Sequence, residues 1–116
     1  MLAEGREGTE QDWRATIKKA VKEAAGEVGV EFSRLYLFGS RARGQADAKS
    51  DWDILVVVRG GLERRRQREI FVRISRRLAE VRIPADIIIR SEVQFEKARR
   101  RVFSIEKVVA REGIQL

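Results

Sequence analysis

Two aspartates, two positions apart, open an apolar run: Asp51-Trp52-Asp53-Ile54-Leu55-Val56-Val57-Val58. Side chains at i and i+2 of a strand share a face, so Asp51 and Asp53 stand side by side and Trp52 points away. Carboxylates placed like this repel each other unless a proton or a cation intervenes. The cation suited to hard oxygen ligands is divalent, Mg2+ above all. Asp86 opens another apolar run, Asp86-Ile87-Ile88-Ile89. If the two runs are adjacent parallel strands, three carboxylates meet at one sheet edge, enough to hold one or two Mg2+ ions. Such ions activate an attacking oxygen and neutralise a leaving pyrophosphate in phosphoryl and nucleotidyl transfer. A lone aspartate at a strand start more often serves a turn. Asp53, followed by an unbroken apolar strand, needs a partner or a metal.

A second group of residues suits anions. The apolar run Leu35–Phe38 stops at Gly39-Ser40, where the chain turns. A strand ending in Gly-Ser can offer backbone amides and a hydroxyl to phosphate oxygens. Arg41 and Arg43 add positive charge beside it, while Gly44 serves backbone geometry. The G-x-x-x-x-G-K-[ST] phosphate loop is absent.

These residues need elements to position them. The spacing of Trp13, Ile17, Ala20, Val21, Ala24 and Val28 predicts an amphipathic helix, capped by Thr9 and ended by Gly26 or Gly29. Leu35 to Phe38 reads as a buried strand, Ser40 to Gly44 as a short helix or tight turn, and Gln45 to Lys49 as a polar loop. Trp52 to Val58 is a strand with Ile54, Val56 and Val58 on one face and Asp53, Leu55 and Val57 on the other. A helix follows from Leu62 to Val81, with a buried stripe of Ile70, Phe71, Ile74, Leu78 and Val81; its arginine-rich first turns face solvent. Ala85 to Arg90 is the third strand. Ser91 caps a helix expected to reach Val102, and Ser104 starts another to about Arg111, before an extended Ile114-Gln115-Leu116. The strands at Asp53 and Asp86, joined by a helix, should be parallel through a right-handed crossover. The strands at Leu35 and Trp52, joined by a loop, should be antiparallel. The fold class is α/β (α+β), a small mixed sheet flanked by helices.

Composition narrows the chemistry. The 116 residues suit one domain, with the first eight or so read as a frayed tail. There is no cysteine and no histidine, which removes disulfides, thiolate zinc, imidazole metal sites and the Ser-His-Asp arrangement. Catalysis must rest on carboxylates, hydroxyls, Lys/Arg and backbone amides. No apolar run approaches the about 20 residues needed to span a bilayer, so no membrane role is expected. The polar start MLAEGREGTE is unlike a secretory or transit peptide, and the expected location is the cytoplasm. A formal net charge of +7 attracts nucleotides, nucleic acid or an acidic protein. Aromatic residues are only 7% of the chain, which disfavours a base-stacking surface for single strands. The clusters Arg64-Arg65-Arg66 and Arg99-Arg100-Arg101 suit either docking or solubility.

Taken together, LFGSRARG, SDWDILV and the downstream Asp86 resemble the nucleotidyltransferase domain of the DNA polymerase beta superfamily. The likeness is nearest to the minimal nucleotidyltransferases (MNT) of bacteria and archaea. The resemblance implies that residues 1–116 form one such domain and that Gly39 and Ser40 hold a triphosphate. It implies that Asp51 and Asp53 bind two Mg2+ ions, and that Asp86 completes the metal site and favours deprotonation of an acceptor hydroxyl. It also implies transfer of a nucleoside monophosphate, AMP from ATP, to a partner protein. That partner is expected to be a HEPN-domain toxin, an all-helical RNase that the MNT protein neutralises. Arg41 stands where relatives often have an aromatic residue, and Trp52 is bulkier than the usual aliphatic residue. A catalytically silent antitoxin and a basic nucleic-acid-binding module are the rival expectations, and homo-oligomerisation is left open.

Overall fold

A computed structural model describes residues 10–44 and 51–116. The expected tail, the Thr9 cap and the Gln45–Lys49 loop lie outside the described residues. In chain order the elements are α1 (Glu10–Val28), β1 (Phe32–Phe38), α2 (Gly39–Ala42), β2 (Trp52–Val58), α3 (Arg64–Glu80), β3 (Ala85–Ser91), α4 (Glu92–Ala98), α5 (Ile105–Glu112) and β4 (Ile114–Gln115). The strands form one sheet in the order β3-β2-β1-β4. β1 is antiparallel to both β2 and β4, and β2 is parallel to β3, as the connections require. Among the described residues no helix is long and apolar enough to cross a membrane.

The alternation of β2 divides the core in two. Trp52, Ile54, Val56 and Val58 pack with α1 and α3, through Ile17, Val21, Ala24, Ile70, Ile74 and Leu78. Leu55 and Val57 face the other way, onto Phe95 of α4 and Val109 of α5. Helices on both faces explain why the run Ile54–Val58 can be continuously apolar and fully buried. α1 ends at Gly29, whose φ of +79° suits a left-handed residue. The Val30 N–H reaches back to the Ala25 carbonyl and the Gly29 N–H to that of Gly26, which satisfies carbonyls that the helix end would strand.

Four expectations are corrected. β1 begins at Phe32 rather than Leu35, because its polar residues find tertiary partners. The Ser33 hydroxyl donates to Glu92, and the Arg34 guanidinium lies over the Phe95 ring. Phe71 of α3 is 44% exposed, because β3 is the sheet edge and no further strand lies beneath that flank of the helix. Val81 is also exposed; the chain leaves the helix at Arg82, with φ of +59°, and buries Ile83 instead. α4 stops at Ala98 rather than Val102. The Ser104 hydroxyl donates to the Ala98 carbonyl at 2.6 Å and accepts from the Lys107 N–H at 3.0 Å, so one side chain closes α4 and caps α5. Ser91 caps α4 as expected, in a capping box with Gln94.

Candidate active site

Strand register assembles the site. Asp53 lies opposite Asp86 across the parallel β2–β3 pair and opposite Phe38 across the antiparallel β1–β2 pair. The end of β1, the start of β2 and the start of β3 therefore meet at one end of the sheet. Asp53 and Asp86 point to the α4/α5 face, since Trp52 and Ile54 are committed to the other. Asp51 precedes β2 and is exposed; Asp53 is half-buried and Asp86 exposed.

Asp53 is held above the ordinary aspartate range. Burial is the largest cause, followed by the charges of Asp86 and Asp51 and a side-chain hydrogen bond with Asp86; Arg43 pulls the other way. The two carboxyl groups face each other across neighbouring strands, so each disfavours ionisation of the other. The strand starts have thus concentrated negative charge, which Arg43 offsets only in part. Among the described residues no three Asp, Glu, His or Cys side chains close into a ready metal site. The donor set nonetheless fits a hard divalent cation, which would relieve the repulsion.

Gly39 shows how tightly the turn is built around this carboxylate. Its φ is +74°, and a Cβ there would lie 2.0 Å from Asp53 Oδ2. The residue is needed twice over, for backbone conformation and for space. Sequence reasoning assigned Gly39 to phosphate. The second role, making room for Asp53, left no signal in sequence because it depends on strand register. Ser40 follows as the second residue of α2, partly buried.

The two arginines separate. Arg43 is exposed and close enough to Asp53 to act on its charge. Arg41 is only 8% exposed, with its guanidinium 4.3 Å from the Trp52 ring centroid and 5.2 Å from that of Trp13. The two indoles are themselves 5.4 Å apart. Arg41 therefore ties α2 to α1 and to the residue between Asp51 and Asp53, a cation–π arrangement worth ~0.5–2 kcal/mol. Trp13 belongs to the site's support, and its distance in sequence hid it. The Trp52 Nε1 is buried with no hydrogen-bond partner among the described residues.

The fold has known counterparts. The sequence model of the nucleotidyltransferase domain family matches residues 14–110, and the chain belongs to that family. Its architecture is that of the polymerase-beta-type nucleotidyltransferases anticipated from the motifs. Two solved structures share the fold. One is a toxin–antitoxin crystallised with AMP-PNP, at TM-score 0.53 and 18% identity, covering 84% of this chain and 70% of that one. The other is a mutant of the toxin–antitoxin MntA-HpeT, at TM-score 0.51 and 18% identity, covering 85% and 70%. A nucleotidyltransferase from Sulfolobus solfataricus, described as putative, aligns at TM-score 0.46 and 26% identity over 87% and 82%. A comparison with curated protein sequences returned no match.

Proposed function

We propose that this nucleotidyltransferase moves AMP from ATP to a hydroxyl of a partner protein, with Mg2+, and serves as the antitoxin of a HEPN-type toxin. The observation that carries the reading is the Asp53–Asp86 pair, in register on neighbouring strands and underbalanced in charge. Asp51, Asp53 and Asp86 would hold Mg2+, which when bound neutralises the triphosphate and the leaving pyrophosphate. Gly39, Ser40 and Arg43 orient the triphosphate beside them. The acceptor oxygen forms a bond to the α-phosphorus, the bond from that phosphorus to the bridging oxygen breaks, and pyrophosphate leaves. Asp86 draws the hydroxyl proton away, the role of a general base. Arg41, buried on two indoles, fixes the turn rather than reaching the phosphates. The setting is the cytoplasm, where ATP is the abundant donor.

The toxin–antitoxin character of two structural counterparts supports a protein acceptor. Incubating the protein with labelled ATP, Mg2+ and the helical protein encoded beside it tests this. The expected result is an AMP-sized mass increase on the partner, with release of pyrophosphate. A partner that is bound and silenced without label would sink the transferase reading and leave an antitoxin acting by occlusion.

A further inference from the structure

β3 is an edge of the sheet, and only half of it is closed. Its even-numbered residues turn their backbone groups toward β2; this parity follows from the Trp52 N–H bonding to the Pro84 carbonyl at 2.8 Å. Ala85, Ile87, Ile89 and Ser91 therefore present theirs outward. At the far end these groups are covered. The Ile89 carbonyl accepts from Gln67 at 2.7 Å and from Arg90 at 2.9 Å, and the Ser91 N–H donates to Gln94 at 2.9 Å. Among the described residues nothing comparable covers Ala85 and Ile87. Folded proteins generally blunt such edges, and this one is blunted only where it is remote from the aspartates.

Beside the uncovered stretch runs a groove between β3 and the flank of α3. It comprises two hollows of about 390 and 450 Å3 that share Ile87. Along α3 its wall carries Arg64, Arg68 and the exposed Phe71, with Arg82 at the other end. Arg90, also in the groove, is committed to Glu106 at 2.7 Å. A second copy of this chain is a poor occupant, because it would bring a second set of these arginines, and a second Asp86, against the first.

We propose that the open edge of β3 receives an extended, acidic segment of the partner as an additional strand, which carries the acceptor hydroxyl to Asp86. Main-chain bonds to Ala85 and Ile87 hold the segment, and alternate side chains divide between the two faces. Those on the α3 side contact Phe71 and meet Arg68 and Arg82. Those on the other side emerge beside Asp86, since directly opposed residues of adjacent strands lie about 5 Å apart. A serine, threonine or tyrosine in that position enters the site from the side of Asp86 opposite β2. The delivery of the acceptor rests on the transferase reading above; the docking does not.

The probe is a short fluorescein-labelled peptide of alternating valine and glutamate with a central tyrosine, added without nucleotide. Expected are saturable binding, slowed hydrogen exchange at the Ile87 amide, and about tenfold weaker affinity for Phe71→Glu or Arg68→Glu, both at exposed helix positions that spare the fold. The circular dichroism of each variant should match that of the parent. Unchanged exchange at Ile87 up to millimolar peptide would overturn the proposal. So would equal affinity for a valine–lysine twin, amide shifts centred instead on Phe103, an aromatic side chain 91% exposed between α4 and α5, or concentration-dependent self-association that protects Ile87. Adding ATP and Mg2+ separates the two readings. A bound but unmodified tyrosine counts against the transferase alone, whereas modification unaffected by Phe71→Glu counts against the groove alone.

Discussion

The two ends of the sheet treat a carboxylate in opposite ways. At the end formed by Phe32, Val58 and Ser91, Glu92 accepts from the Gly60 N–H at 3.1 Å and the Ser33 hydroxyl at 2.9 Å. These bonds, first Gly60 and then Ser33, hold it below the ordinary glutamate range, with Arg59 and Arg34 contributing charge. At the end formed by Phe38, Trp52 and Ala85, Asp53 is surrounded by burial and like charge and is pushed up. One end collects donors around its carboxylate and joins β1, the β2 exit and α4. The other gathers like charge from Asp86 and Asp51 around Asp53 instead. Like charge gathered around a half-buried carboxylate is a common feature of ligand sites, which is why this end supports the proposed function.

The sharpest way to break this contrast is at Gly39. Gly39→Ala places a Cβ on the Asp53 carboxylate and forces a side chain into positive φ, so transfer should vanish. Strain of ~1–2 kcal/mol should lower the melting temperature as well. A variant with full activity would show that the carboxylate position is immaterial. Next in size is Asp86→Asn, expected to cut the transfer rate by about 10²–10⁴-fold, as for loss of a general base. Nucleotide affinity with Mg2+ should fall less. Asp53→Asn should also abolish transfer, yet raise the metal-free melting temperature, since a repelling charge is gone; a collapse would make Asp53 structural.

The two ends also predict opposite pH dependences of stability. Asp53 binds its proton more tightly folded than unfolded. Its contribution is complete below the unfolded value and is lost as pH rises through the raised folded value. Glu92 does the reverse: its contribution is complete above the unfolded value and is lost as pH falls through the lowered folded value. Thermal melts across the acid range should therefore lose their alkaline-side decline in Asp53→Asn and their acid-side decline in Glu92→Gln. Identical profiles for both variants and parent would erase the distinction. The smallest effect expected is that of Ser40→Ala, about three- to tenfold weaker triphosphate binding from one lost hydrogen bond, with the melting temperature unchanged. Calorimetry with ATP and Mg2+ checks it.

Much of this was legible from residue order. The strands at Phe38, Asp53 and Asp86 follow from apolar runs broken by Gly and Pro, and their parallel and antiparallel pairing follows from the lengths of the connections. Asp53 and Asp86 could be placed together for that reason. What stayed hidden depends on position within the sheet. Phe71 falls on the periodic stripe of α3, and only the knowledge that β3 is an edge strand exposes it. Val102 continues the pattern of α4, but the Ser104 hydroxyl on the Ala98 carbonyl ends the helix first. Arg41 was legible as a positive charge beside Gly39-Ser40, but not its burial against Trp13 and Trp52, which come from separate elements. In each case the deciding contact is tertiary.

The indole pair around Arg41 has a practical side. The chain holds two tryptophans, Trp13 and Trp52, and both stack on this guanidinium. All of its tryptophan emission therefore originates around Arg41 of α2, from the helix α1 and from the residue between Asp51 and Asp53. The protein thus carries a label-free optical probe on Arg41, in the turn next to the proposed site, and no third tryptophan to dilute it.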